Sequence, residues 1–276
     1  MKTFRKIDAK EEIFIHYRSM HMSEYIKIRE FGEMQSNISG KVTKKSGRGR
    51  SYADYLIRLV ILCETIFECK IEDLGSFESL KKIRRLEGMP GFKNYNEGEG
   101  RFPKSAIANY AAYLVYKNET MEESIGVIYR IEQVEGAYKE NVIKGAKERR
   151  QRELVNNKLI YPRNTNESRL AKENANYKCE LNYNHVTFIT NNDGELYIEA
   201  HHLIPMAAQD YFVNTIDFAD NIIALCPTCH REIHHGIERN RKEIILDLYE
   251  KRKSKYVKYG VEISKELLLN FYGISK

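Results

Sequence analysis

A chain of 276 residues, 42% hydrophobic and 30% charged, is long enough to bury a core and hold one large or two modest domains. The opening MKTFRKIDAKEEIF is charged throughout, and the most apolar run, YLIRLVILC (55–63), is short and carries Arg58, so neither a signal peptide nor a membrane span is expected and the cytoplasm is the expected compartment. A formal net charge of +6 permits a polyanionic partner without requiring one.

In chain order, residues 1–50 end in the Gly/Ser/Lys-rich KVTKKSGRGR and read as a flexible basic arm. Residues 51–158 read as a helical domain. Its first helix is SYADYLIRLVILCETIFECK, with Tyr55, Leu56, Leu59, Val60, Cys63, Ile66 and Phe67 at helical spacing and Ser51 as N-cap. Cys63 and Cys69 read as small core residues. GMPGFKNYNEGEG is a loop by its glycine content, and FPKSAIANYAAYLVYK (102–117) is a second apolar-faced helix. Residues 121–156 again look helical and strongly charged. The segment 159–176, opening on LIYPRNTNES, is polar and helix-breaking and reads as a linker.

Beyond the linker the hydrophobic period changes. HVTFIT and ELYIEAH flank NNDG, a hairpin turn, NIIALC is a short strand, and Pro227 opens a helix that Gly236 stops. Residues 254–276 read as a C-terminal tail.

Three of the five cysteines fall in this last third, and in a reducing compartment such clustering favours metal ligation over disulfides. Cys226 and Cys229 have knuckle spacing and supply two of the four ligands of a structural zinc. Cys179 and His185, just before the hairpin, are the candidates for the other two. His230 and His234, four apart, share a helix face and can reach one ion, whereas Cys229 points about 100° away from His230. His201 and His202 are adjacent in a strand, so one can bind the metal while the other faces a substrate.

IEAHHLIP, then Asn221, then LCPTCHREIH closely resembles the HNH nucleases, whose fold is the ββα-metal motif, over roughly residues 177–253. The resemblance implies a C-terminal ββα-metal module with a structural zinc; with the mostly helical region read from the spacing ahead of it, which is the candidate DNA-recognition domain, the expected class is α+β. It implies that His202 is the general base, that Asn221 ties the loop holding it, and that His201 and His230 bind the catalytic ion. His234 matches a third histidine ligand of colicin-type members, and His235 is a bystander. Cys179, His185, Cys226 and Cys229 match the zinc-bound subset of the family.

The implied activity is hydrolysis of phosphodiester bonds in double-stranded DNA by a one-metal mechanism, with zinc as the structural ion and Mg²⁺ or Mn²⁺ as the catalytic one. The C-terminal module looks like that of methylation-dependent restriction nucleases. A homing endonuclease, or a zinc-stabilised DNA-binding protein without cleavage, are the alternatives. One such site cuts one strand, so a double-strand break implies a homodimer or two successive nicks. Lys44, Lys45, Arg48 and Arg50 ahead of the helical domain, and Lys251, Arg252 and Lys253 after the site, are candidates for phosphate contacts.

Overall fold

The computed structural model describes residues 4–38, 47–132, 141–155, 158–191 and 194–274. The chain forms two compact units, residues 1–115 with 273–276, and residues 116–272. The class is α+β: helices predominate, and the sheets are two-stranded ladders. Among the described residues, no helix is long and apolar enough to cross a membrane.

The first unit is helical: α1 (Glu12–Met20), α2 (Met22–Ile38), α3 (Arg48–Phe67), α4 (Phe77–Arg84), α5 (Phe92–Gly98) and the first part of α6 (Phe102–Glu132). The apolar stripe of α3 does what its period predicts, burying Leu56, Leu59, Val60 and Cys63. Ser51 is not the N-cap. The helix begins at Gly47 (φ 68°), and the Ser51 hydroxyl donates to the Gly47 carbonyl at 3.2 Å.

The expected flexible arm contains two packed helices. Phe14, Tyr25, Ile28 and Phe31 are buried, and the apolar residues of α2 recur at a spacing of three. Charges crowd the exposed positions between them and hide that stripe from a reading by composition. Likewise, part of the Gly-rich loop is helical as α5.

Helices α2 and α3 meet backbone to backbone. A Cβ on Gly32 would lie 2.8 Å from Gly49 Cα, and one on Gly49 would lie 2.1 Å from the Arg29 carbonyl oxygen. Only residues without side chains permit that approach. Gly49→Ala is therefore expected to destabilise this unit by about 1–3 kcal/mol, the usual range for overpacking, read as a lower midpoint in denaturant unfolding followed by circular dichroism.

In the second unit, the region expected to be helical over 121–156 is helical to Glu132, and 141–152 has no regular structure beyond the bridge of Glu148 to Asn214. A hairpin follows, β1 (Glu153–Val155) with β2 (Lys158–Ile160). The expected linker contains α7 (Thr165–Asn174), capped by the Asn164 side chain accepting from the Asn166 amide at 3.1 Å. Its sequence is almost wholly polar. What docks it is Ala171, packed with Ala219 and Ile222 and flanked by Leu170 and Ala200.

β3 (Glu199–His202) runs antiparallel to β4 (Ile222–Leu225), with His202 opposite Ile222 and Glu199 opposite Leu225. The preceding hairpin is loosely tied, Tyr197 donating to the Phe188 carbonyl at 2.8 Å and Ile189 bridged to Leu196. α8 (Pro227–His235), α9 (Glu238–Tyr256) and α10 (Lys265–Phe271) complete the unit. The expected tail is thus partly a helix, docked through Leu267, Leu268 and Phe271.

Candidate active site and metal centres

Strand β4 is buried at every position and delivers the chain to Cys226, the N-cap of α8, with Pro227 in the first turn where its missing N–H costs nothing. At the other end, a Cβ on Gly236 would lie 2.6 Å from the Glu232 carbonyl oxygen, so the helix stops on a residue with no side chain. Between these ends, His230 and His234 stand one turn apart on one face.

That face meets β3. Ligand atoms of His201, His230 and His234 all lie within 4.8 Å of one another, and the ring centroids are 5.0–5.1 Å apart. His201 is held far below the usual histidine range by burial and by its three histidine neighbours, and His234 is lowered to about 4, chiefly by burial. These two rings are neutral near pH 7, with lone pairs available to a cation. Three imidazoles in one place suit a divalent transition-series or related ion.

Two further residues aim the cluster. His230 Nδ1 is 2.6 Å from Glu199 Oε2, which leaves Nε2 as the free nitrogen. The Tyr272 hydroxyl donates to the Leu203 carbonyl at 2.9 Å and sits 2.9 Å from His201 Nε2. His201 Nε2 then carries the proton, and the lone pair falls on Nδ1. His235 has no place in the cluster, its ring lying 6.0 Å from that of His234.

His202 lies outside this trio. Its Nε2 is 2.8 Å from Asp217 Oδ1, and both side chains are buried. The partner is a carboxylate on the loop between the strands.

Asn221, fully buried, holds that loop. Its side-chain amide donates to the carbonyls of Ile216 and Ile204 at 2.8 and 3.1 Å, and its oxygen accepts from the Ile204 amide at 2.9 Å. Three bonds from one side chain fix both ends of the loop against β3.

The second cluster brings Cys179, His185, Cys226 and Cys229 together, with His185 Nδ1 at 3.5 and 3.3 Å from the sulfurs of Cys226 and Cys229. A tetrahedral zinc with Zn–S near 2.3 Å separates its ligand atoms by about 3.5–3.8 Å, so the donor set fits such an ion. Burial raises Cys179, but the amides of Cys226, Asn182 and Leu181 and the His185 ring outweigh it and bring the thiol down to about 7. Cys229 is pushed up by burial and by the neighbouring cysteines. A bound cation would relieve this conflict among crowded thiolates.

The basic candidates fare differently. Arg252 does not reach for phosphate. Its guanidinium is buried, paired with Glu180 and donating to the Asp220 carbonyl at 3.2 Å. Glu180 in turn accepts from the Ala224 amide at 2.8 Å, so Arg252 braces the segment after Cys179 against β4. Lys251 and Lys253 are about half exposed and pair with Asp247 and Glu250. Arg48 and Arg50 are exposed on the first turn of α3, with Arg50 3.8 Å from Asp54. Lys44 and Lys45 lie outside the described residues.

With this geometry in view, comparison with known proteins is decisive for one stretch of chain. The HNH endonuclease family model matches residues 190–236, which include both strand histidines, Asn221, Cys226, Cys229 and the α8 histidines. Residues 190–236 are an HNH endonuclease domain. The chain is also similar to a curated relative, the type IV methyl-directed restriction enzyme EcoKMcrA of Escherichia coli K12. It is 47% identical over 58 residues, 21% of this chain and 18% of that enzyme. The chain thus matches less than a fifth of the relative's length. Cys179 and His185 precede the HNH match, and the structure joins them to it through the four-residue cluster.

Asp217, Glu199 and Tyr272 escape the sequence reading. Asp217 stands only four residues before Asn221 and could have been suspected, whereas Tyr272 follows His201 by 71 residues, with no local signal.

Proposed function

We propose that the protein is a restriction-type DNA endonuclease whose HNH domain hydrolyses phosphodiester bonds with His202 as general base and a single divalent ion held by His201, His230 and His234. The observation that carries this reading is the separation of roles: three histidines converge on one point, and the fourth, adjacent in sequence, is held apart by a carboxylate. A DNA-binding module without cleavage has no use for that fourth histidine.

With the proton on Nε2, His202 keeps a lone pair on Nδ1. It takes one proton from a water whose oxygen forms the new bond to phosphorus, the bond from phosphorus to the 3′ oxygen breaks, and the departing oxygen is protonated from solvent. Such proton removal is worth about 10²–10⁴ in rate. A divalent ion, Mg²⁺ or Mn²⁺ in the cell, would stabilise the negative charge that develops on the phosphate and the departing oxygen. Asn221 positions the base, since a displacement near an ångström costs about 10²-fold. Zinc is the ion proposed for the Cys179, His185, Cys226 and Cys229 cluster.

The relative is described as methyl-directed, and we extend that cue here: the substrate is double-stranded DNA carrying modified bases, recognised by the helical unit rather than the HNH domain. Cleavage of both strands then needs two copies of the site, in a homodimer or in successive nicks. The test is cleavage of one plasmid prepared from methylating and non-methylating hosts, with Mg²⁺ or Mn²⁺. Cutting confined to the methylated plasmid is expected. Equal cutting of both would overturn the modification cue, and cutting of neither, at any metal concentration, the nuclease reading.

A further inference from the structure

The contact between His202 and Asp217 assigns more than proximity. A carboxylate oxygen can only accept, so Asp217 Oδ1, 2.8 Å from Nε2, requires the imidazole proton to sit on Nε2. Oδ2 is equally committed, accepting from the Asn164 amide at 2.5 Å. The Asp217 amide itself donates to the Thr215 hydroxyl at 3.1 Å. Both oxygens of the buried carboxylate therefore face donors, one from the ring and one from the backbone.

The anchoring reaches into the segment that reads as a linker. Asn164 caps α7, and Glu167 in the first turn, fully buried, accepts from the Ala219 amide at 2.7 Å and the Ile143 amide at 2.5 Å. Helix α7 thus holds the loop around Asp217 at two points, from outside the residues that the HNH family model matches.

We propose that Asp217 is a positioning residue that fixes the His202 tautomer, and that the start of α7 is the support that fixes Asp217. This rests on the reading of His202 as general base. A neutral histidine has two tautomers, and only the one with a free Nδ1 serves that reading. A carboxylate on Nε2 removes the other.

Asp217→Asn separates this role from a merely structural one. The Asn164 amide still demands an acceptor, so the single amide oxygen turns toward it and the NH₂ group faces His202 Nε2. Nε2 must then accept, and the proton moves to Nδ1. The fold, the shape and most hydrogen bonds survive, while the base faces its water with a proton already in place.

The experiment compares wild type, Asp217→Asn and His202→Ala in single-turnover plasmid cleavage, with DNA affinity and melting temperature measured alongside. It adds ¹⁵N NMR of the His202 ring in wild type and in Asp217→Asn. The expected result is an approximately 10²–10⁴-fold slower cleavage step in Asp217→Asn, unchanged DNA affinity and melting temperature, and a ring proton that moves from Nε2 to Nδ1. Cleavage within a few-fold of wild type, beside an inactive His202→Ala, overturns the role of Asp217 and leaves the base reading intact. Full activity in His202→Ala overturns the base reading itself. If Asp217→Asn fails to fold, the wild-type spectrum decides: a proton on Nε2 supports the assignment, and one on Nδ1 overturns it.

Discussion

Replacing His202 with alanine is expected to slow DNA cleavage by about 10²–10⁴-fold, the range for removal of a general base, without loss of fold or of either metal cluster. The ring is 8% exposed, and its described side-chain partner is Asp217, so the substitution removes a small buried volume and one hydrogen bond. The cost in stability is about 2–3 kcal/mol, partly from leaving the Asp217 carboxylate without its ring partner. The His202 side chain belongs neither to the Cys179 cluster nor to the three convergent histidines. Rate, melting temperature and metal content measured on one preparation check the claim. A variant that has lost its metals or melted would mean that His202 belongs to the scaffold.

Cys226→Ser is expected to do the reverse, removing the structural ion and unfolding the module around it. Apparent zinc-binding energies at such sites reach about 10–16 kcal/mol, comparable to or above the 5–15 kcal/mol that stabilises a typical domain. The cluster ties Cys179 and His185, before the hairpin, to the start of α8, and α8 carries His230 and His234. Loss of one thiolate therefore loosens the helix that presents His230 and His234, the proposed ligands of the catalytic ion. Metal analysis, a thermal melt and cleavage should fall together, and a strong chelator should reproduce the effect on wild type. Retention of zinc and melting temperature by Cys226→Ser would show that the four residues are packed but not ligating.

Cys226 falls in one short stretch, ALCPTCHREIHH, in which Cys229 and His230 are neighbours belonging to different clusters. A helix makes this possible, since successive side chains point about 100° apart. The spacing alone therefore places Cys229 and His230 on different sides, and the structure has Cys229 buried beside His185 and His230 facing Glu199.

Helices were legible where apolar residues recur on one face, as in α3, and illegible where charge or polarity masks a small buried stripe. In α7 a single buried alanine and a buried glutamate do the docking, and no composition rule marks them. α1 and α2 were hidden by the charged residues between Phe14, Tyr25, Ile28 and Phe31. Arg252 misled for a related reason: a basic run on a helix is usually solvated, but one member of this run points inward to Glu180.

By itself the sequence determined which candidate residues group together. His201, His202, Asn221, Cys226, Cys229, His230 and His234 lie on short regular elements whose periods, two for a strand and 3.6 for a helix, dictate which side chains can meet. Only the tertiary structure decided what aims them. Asp217 on His202, Tyr272 on His201, and Asn164 with Glu167 behind Asp217 are contacts between elements set 15 to 71 residues apart. No local period links such positions; the chain brings them together only by packing its second unit.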